Sequence, residues 1–170
     1  MKKFLAMVLA LIMALSLVAC GQQGGDAQKG DDSASGDKVI KIGVFEPLSG
    51  DSASGGKKEL LGMQYANSET PTIDLNGETY TIELVTSDNG SSSDKAPSAA
   101  SDLVAKGVSL VLGTYGSSAA MAGGPKFGEA GIAAIGVTCT NPNVTAGNDY
   151  YFRICFLDPF QGTAVSYTHL

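Results

Sequence analysis

The chain has 170 residues, 17 of them acidic and 11 basic, with a formal net charge of −6 at pH 7 and 44% apolar side chains. That length holds one domain with a real core and not two. The acidic balance excludes the basic footprint of a nucleic-acid binder. No Cys/His group has metal-ligand spacing and the single histidine, His169, stands next to the last residue, so neither a zinc site nor any other cofactor is expected.

The chain opens with Lys2 and Lys3, then a nearly unbroken apolar stretch from Phe4 to Val18, then Ala19 and Cys20. A positive start, a short apolar core and small residues before a cut are the layout of a secretory signal peptide. The apolar run is roughly 15 residues, short of the ~20 that cross a bilayer core. Leu17-Val18-Ala19-Cys20 resembles a bacterial lipoprotein cleavage signal. The resemblance implies that residues 1–19 are removed and that Cys20 carries lipid, with acyl chains anchoring it at about 0.8 kcal/mol per buried methylene. That cut removes two lysines and no acid, which turns −6 into −8. Residues 20–38 are rich in Gly, Ser, Asp, Gln and Ala, too polar to offset their ordering entropy, and read as a flexible tether.

The globular part is expected over residues 39–165. Val39 to Phe45 is a β-branched run of the buried-strand type. A loop broken by Pro47, Gly50, Gly55 and Gly56 follows, then a helix over Lys57 to Asn67. Asn76-Gly77 marks a turn, and Thr79 to Thr86 a strand. Pro97 to Lys106 reads as an amphipathic helix that turns in Ala99, Ala100, Leu103 and Val104 and stops at Gly107. Val108 to Gly113 is a strand. Ser117 to Ala130 is a small-residue helix that Gly123-Gly124-Pro125 is expected to kink or divide. Ile132 to Val137 and Tyr150 to Ile154 complete the strands. Such alternation predicts an α/β fold: a doubly wound, Rossmann-like parallel sheet with right-handed crossovers.

Ligands of such sheets sit beyond the carboxyl ends of the strands. Three loops meet there, Glu46–Gly56, Thr114–Ser118 and Thr138–Thr145, all rich in hydroxyls and poor in charge. They fail the patterns of catalysis. Gly50 and Gly56 are one residue too far apart for a P-loop, and Lys58 takes its Ser/Thr place. No G-x-S-x-G elbow is present. The chain is therefore not expected to be an enzyme. Ser117 is placed as an N-cap, where its hydroxyl, the hydroxyl of Ser118 and the open first-turn N–H groups would receive a carboxylate. Thr138 and Thr140 can donate and accept, and nearby carbonyls can take an ammonium. A donating loop beside an accepting loop suits a zwitterion. The bland alternatives are a serine that caps its own helix and an ordinary Asn-Pro turn. Cys139 and Cys155 remain once Cys20 is assigned to lipid. A disulfide is allowed in an exported protein, and two buried free thiols are the preferred reading.

The runs Lys41–Gly50 (KIGVFEPLSG), Gly113–Met121 (GTYGSSAAM), Phe127–Ile135 (FGEAGIAAI), Thr138–Thr145 (TCTNPNVT), Tyr151–Arg153 and Asp158–Gly162 are together similar to the leucine/isoleucine/valine-binding proteins of ABC importers. The resemblance covers Val39 to about Val165. It implies a lobe of the type I periplasmic-binding fold and an extracytoplasmic, lipid-anchored receptor. That receptor would hand an amino acid, branched-chain or a related small amide, to permease subunits. It further implies that Ser117 binds the ligand carboxylate, that the Thr138 carbonyl takes the ammonium, that the Thr140 hydroxyl contacts the ligand, and that Tyr115 lies near its side chain. Two positions depart from the family pattern. Gly55 stands where an aromatic residue often closes over the ligand, and Tyr115 where a smaller or apolar one is common. Family members have two lobes, and this chain reads as ending near the close of the first. Residues 166–170 read as an atypical tail that does not continue the helix expected after Gln161-Gly162. A signalling or chemotaxis sensor is the alternative among binding proteins, and a cell-surface hydrolase the alternative of another class.

Overall fold

The computed structural model describes residues 38–168. The signal-peptide, lipidation and tether readings, Cys20 among them, lie outside the described residues, as does His169.

The β-branched run at the start forms β1 (Val39–Glu46). It is followed by α1 (Ala53–Glu69), β2 (Thr72–Leu75), β3 (Glu78–Asp88) and α2 (Ala96–Ala105). Then come β4 (Leu110–Leu112), α3 (Ser117–Glu129), β5 (Ala133–Gly136), a 3-10 turn at Pro142–Val144, β6 (Tyr151–Arg153) and α4 (Asp158–Thr168). The six strands make one sheet in the order β2-β3-β1-β4-β5-β6. Five are parallel and β2 alone is antiparallel, hairpinned onto β3 through Asn76 and Gly77 at φ 53° and 81°. Positive φ at both central residues suits the right-handed twist of a two-residue hairpin.

Strand alternation sends successive side chains to opposite faces. One face carries Phe45, Val111, Ala134 and Tyr151, and α2 and α3 close over it with Ala96, Ala99, Ala100, Leu103, Ala119, Ala120 and Phe127 to make the core. Phe45 and Phe127 meet edge to face, 5.4 Å between centroids. The other face presents Ile42, Ile82, Leu84, Leu112 and Ile135 toward α1. The doubly wound reading therefore holds, with helices on both faces.

Four local expectations are corrected. The sheet is mostly rather than wholly parallel, because β2 was not anticipated: it is four residues long and all are exposed. The first helix begins at Ala53, not Lys57. Gly55 and Gly56 are helical, and Gly56 is buried against the Pro47 carbonyl where a side chain would not fit. Helix α3 is one element through Gly123-Gly124-Pro125. A methyl at Gly123 would lie 2.6 Å from Phe45 Cζ, and one at Gly124 2.8 Å from Tyr151 Cδ2. The small residues bring α3 close to the sheet rather than break it. Helix α4 runs to Thr168, so residues 166–168 do continue a helix, although it buries none of its side chains.

Candidate functional site

The chain leaves β1, builds β2 and β3 on one side, and crosses through α2 to β4 on the other. The β1/β4 boundary is thus the switch point, and the segments after β1, β4 and β5 surround the crevice there. The segment after β1 is held by the one after β3. The Asp88 carboxylate accepts from Leu48 N (2.8 Å), Ser49 N (3.2 Å) and Gly90 N (2.8 Å), and Ser91 Oγ bridges Ser49 O and Ser52 N. Burial pulls the Asp88 carboxyl upward, but the Ser49 side chain and these backbone N–H groups together outweigh it, and its pKa lies below the ordinary value.

The segment after β4 leads into α3. Gly116, not Ser117, is the N-cap, and no side chain caps the helix. Ser117 is the first helical residue. Its Oγ accepts from Asn141 N at 3.2 Å, which leaves its own O–H to donate elsewhere. The first helical bond is Ala120 N–H to Gly116 O, so the N–H groups of Ser117, Ser118 and Ala119 remain open for an anion. The self-capping alternative for Ser117 does not hold. Ser118 is exposed on the same first turn.

Thr138, after β5, donates through Oγ1 to Glu59 Oε1 (2.5 Å) and lies 3.1 Å from the Tyr115 carbonyl. Thr140 is half-buried and its carbonyl accepts from Asp158 N at 3.1 Å. Tyr115 is 42% exposed, and its ring covers Gly55: a methyl there would sit 2.5 Å from Tyr115 Cε2. The two positions marked as departures in the sequence are thus in contact, with the Tyr115 ring occupying the space over Gly55. Thr138 meets Tyr115 directly, and Ser117 meets the loop that carries Thr138 and Thr140 through Asn141.

Beneath them lies Glu46, fully buried at the end of β1. Its Oε2 accepts from Tyr115 N at 2.9 Å. Burial pushes its carboxyl pKa well above the carboxylate range, the neighbouring Glu59 raises it further, and the Tyr115 N–H opposes only part of the rise.

A periplasmic binding protein family model matches residues 39–167. The chain belongs to that family. Among solved structures it is similar to the leucine binding protein LivK of Thermotoga maritima, at 33% identity and a TM-score of 0.70 over 75% of this chain and 36% of that one. It is also similar to LivJ of Streptococcus pneumoniae, a branched-chain amino acid transporter substrate binding protein crystallised with isoleucine, at 34% identity and a TM-score of 0.69 over 76% and 37%. A curated relative, an amino acid binding protein of Pseudomonas aeruginosa, is 34% identical over 126 residues, 72% of this chain and 33% of its own length. The chain spans about a third of the length of these relatives. Its sheet is that of the type I periplasmic-binding fold.

Several residues that shape this periplasmic-binding lobe escaped the sequence reading. Arg153, the chain's only arginine, donates to the carbonyls of Cys139 (3.2 Å), Asn141 (2.8 Å) and Pro142 (3.1 Å) and to Thr145 Oγ1 (2.7 Å). It clamps the loop that carries Thr138 and Thr140, as a planar five-donor fork can. Asn89, fully buried, donates to Thr114 Oγ1 at 2.8 Å and ties the end of β3 to that of β4. A lone arginine in an acidic, hydroxyl-rich chain was the available signal for the first. Nothing local marks the second. Cys139 and Cys155 are free thiols; Cys139 is buried and Cys155 only partly so. Burial pushes the Cys139 thiol up to about 11. Among the described residues no group of three or more His, Cys, Asp or Glu could hold a metal ion.

Proposed function

We propose that this chain forms one lobe of an extracytoplasmic solute-binding protein, anchored through lipid on Cys20. It receives an amino acid, branched-chain or a related small amide, for delivery to an ABC permease. The observation that carries the reading is the first turn of α3. Three N–H groups and the Ser117 hydroxyl proton there are not spent on bonds within the lobe, and no lysine or arginine stands among them. That is a site for a carboxylate that must not be held as tightly as an ion pair would hold it. Thr138 and Thr140, on the loop after β5, would offer acceptors for the ammonium. Tyr115 over Gly55 supplies the wall for a side chain. Similarity to LivK, and to LivJ crystallised with isoleucine, supports the same class of ligand.

Calorimetric titration of a two-lobed parent that contains this lobe, with leucine, isoleucine and valine, tests it. Ser117→Ala and Thr140→Ala each remove a hydrogen bond to a charged group, about 1.5–3 kcal/mol, so each is expected to weaken binding roughly ten- to a hundredfold. Two variants that bind like the parent would overturn the site.

A further inference from the structure

We propose that Glu46 and Glu59 share a single proton, and that this proton fastens together the β1 end, α1 and the two loops that carry Tyr115 and Thr138. The proposal stands on hydrogen-bond geometry and does not depend on which ligand the crevice takes.

Each carboxylate has one oxygen accounted for and one not. Glu46 Oε2 accepts from Tyr115 N, and Glu59 Oε1 accepts from Thr138 Oγ1. Glu46 Oε1 and Glu59 Oε2 are buried and have no partner. Both carboxylates are tied to the same pair of residues: Tyr115 N–H donates to Glu46, and the Thr138 hydroxyl that reaches Glu59 also lies 3.1 Å from the Tyr115 carbonyl. Two ionised carboxylates can only accept, so both orphan oxygens would be left without a donor, as like charges in a desolvated place. One proton resolves both: Glu46 Oε1–H donates to Glu59 Oε2, and no buried oxygen is left unpaired.

Among the described residues the surroundings offer no other counter-charge. From β6 the neighbour is Tyr151, a buried phenol that donates to Gly113 O at 2.8 Å. From the loop after β5 it is Cys139, whose thiol is held protonated by burial. Arg153, on the far side of Cys139, spends its donors on carbonyls and Thr145. Lys57 and Lys58 flank Glu59 on α1 but are exposed. The completed chain of bonds runs Tyr115 N–H to Glu46, Glu46 O–H to Glu59, and Thr138 O–H to Glu59.

The direction of the pH effect follows. The folded chain holds a proton on Glu46 that the unfolded chain releases near the ordinary glutamate value of 4.5. Folding is therefore favoured at mildly acid pH. It weakens by up to tenfold in equilibrium constant per pH unit above that value, until Glu46 ionises in the folded state. Glu46→Gln mimics the protonated acid, since its carbonyl can accept from Tyr115 N and its amide can donate to Glu59.

The decisive measurement is the side-chain carboxyl 13C shift of Glu46 in the parent protein, assigned through its own backbone and followed from pH 4 to pH 9. A signal that stays at the protonated position at pH 7 is expected. A signal that titrates in the ordinary carboxylate range overturns the proposal, whether the pair is then ionised or bridged by a cation. Urea denaturation supplies a second reading. Glu46→Gln should match the parent near pH 5 and exceed it increasingly toward pH 9, and parallel pH profiles for the two would equally overturn it. The carboxyl signal is read on the parent and decides even where the variant fails to fold.

Discussion

On one face of the sheet, α2 and α3 press alanines and glycines against Phe45, Val111 and Tyr151 until little space is left. On the other, α1 alone faces Ile42, Ile82, Leu84, Leu112 and Ile135, and a cavity of about 610 Å³ remains between them among the described residues. The same strands supply both faces, so the difference lies in the helices. Helices α2 and α3 carry small residues where they approach the sheet, and close approach maximises dispersion contacts. Helix α1 carries Met63, Ala66 and Asn67 toward the sheet, with Leu61 and Tyr65 exposed at 64% and 67%. Stability should therefore be concentrated on the α2/α3 side. The candidate-site loops after β4 and β5 hang from that side as well, through α3 and the Arg153 clamp.

Phe127→Ala should produce the largest effect. Phe127 is fully buried and meets Phe45 edge to face. Its removal opens a cavity in the tight face, at about 3–5 kcal/mol. Denaturant melts of the variant against the parent measure it. A loss under about 1 kcal/mol, the size expected of a surface change, would mean the two faces are not packed to different densities. Leu84→Ala, on the cavity side and only partly buried, should cost distinctly less, about 1–2 kcal/mol, because part of the side chain already lacks neighbours.

The same contrast explains what could be read from the sequence. The strand runs Val39–Phe45 and Val108–Gly113 were legible because they are apolar and β-branched, and the α2 periodicity gave its buried face almost residue for residue. Ser117, Thr138 and Thr140 were legible as hydroxyls at the carboxyl ends of strands, which topology alone brings together. Glycine misled the reading twice. Gly55-Gly56 and Gly123-Gly124-Pro125 look like breaks in a chain considered locally. In the fold they are places where Tyr115, Pro47, Phe45 and Tyr151 come too close for a side chain. Glu46 was hidden for another reason. A glutamate at the end of a strand is ordinarily solvated, and its partners Tyr115 and Glu59 come from other elements of the fold.

The smallest predictions form a matched pair, because one substitution is made on each face. Gly123→Ala puts a methyl 2.6 Å from Phe45 Cζ and 3.1 Å from the Ala96 carbonyl. Neither the buried ring nor the backbone can give way freely, so overpacking should cost about 1–3 kcal/mol. Gly62→Ala makes the same change in the interior of α1. There the added methyl meets nothing within 4 Å, and the residue borders the open cavity. Alanine is favoured over glycine inside a helix by roughly 0.5–1 kcal/mol, because it restricts the unfolded chain without straining the folded one. Gly62→Ala should therefore raise stability by that amount at an unchanged denaturant m-value. Opposite signs for one chemical change would locate the packing difference in the helices rather than in the strands they share. A destabilising Gly62→Ala would mean that α1 sits closer to the sheet than the cavity allows, and the contrast between the faces would be lost.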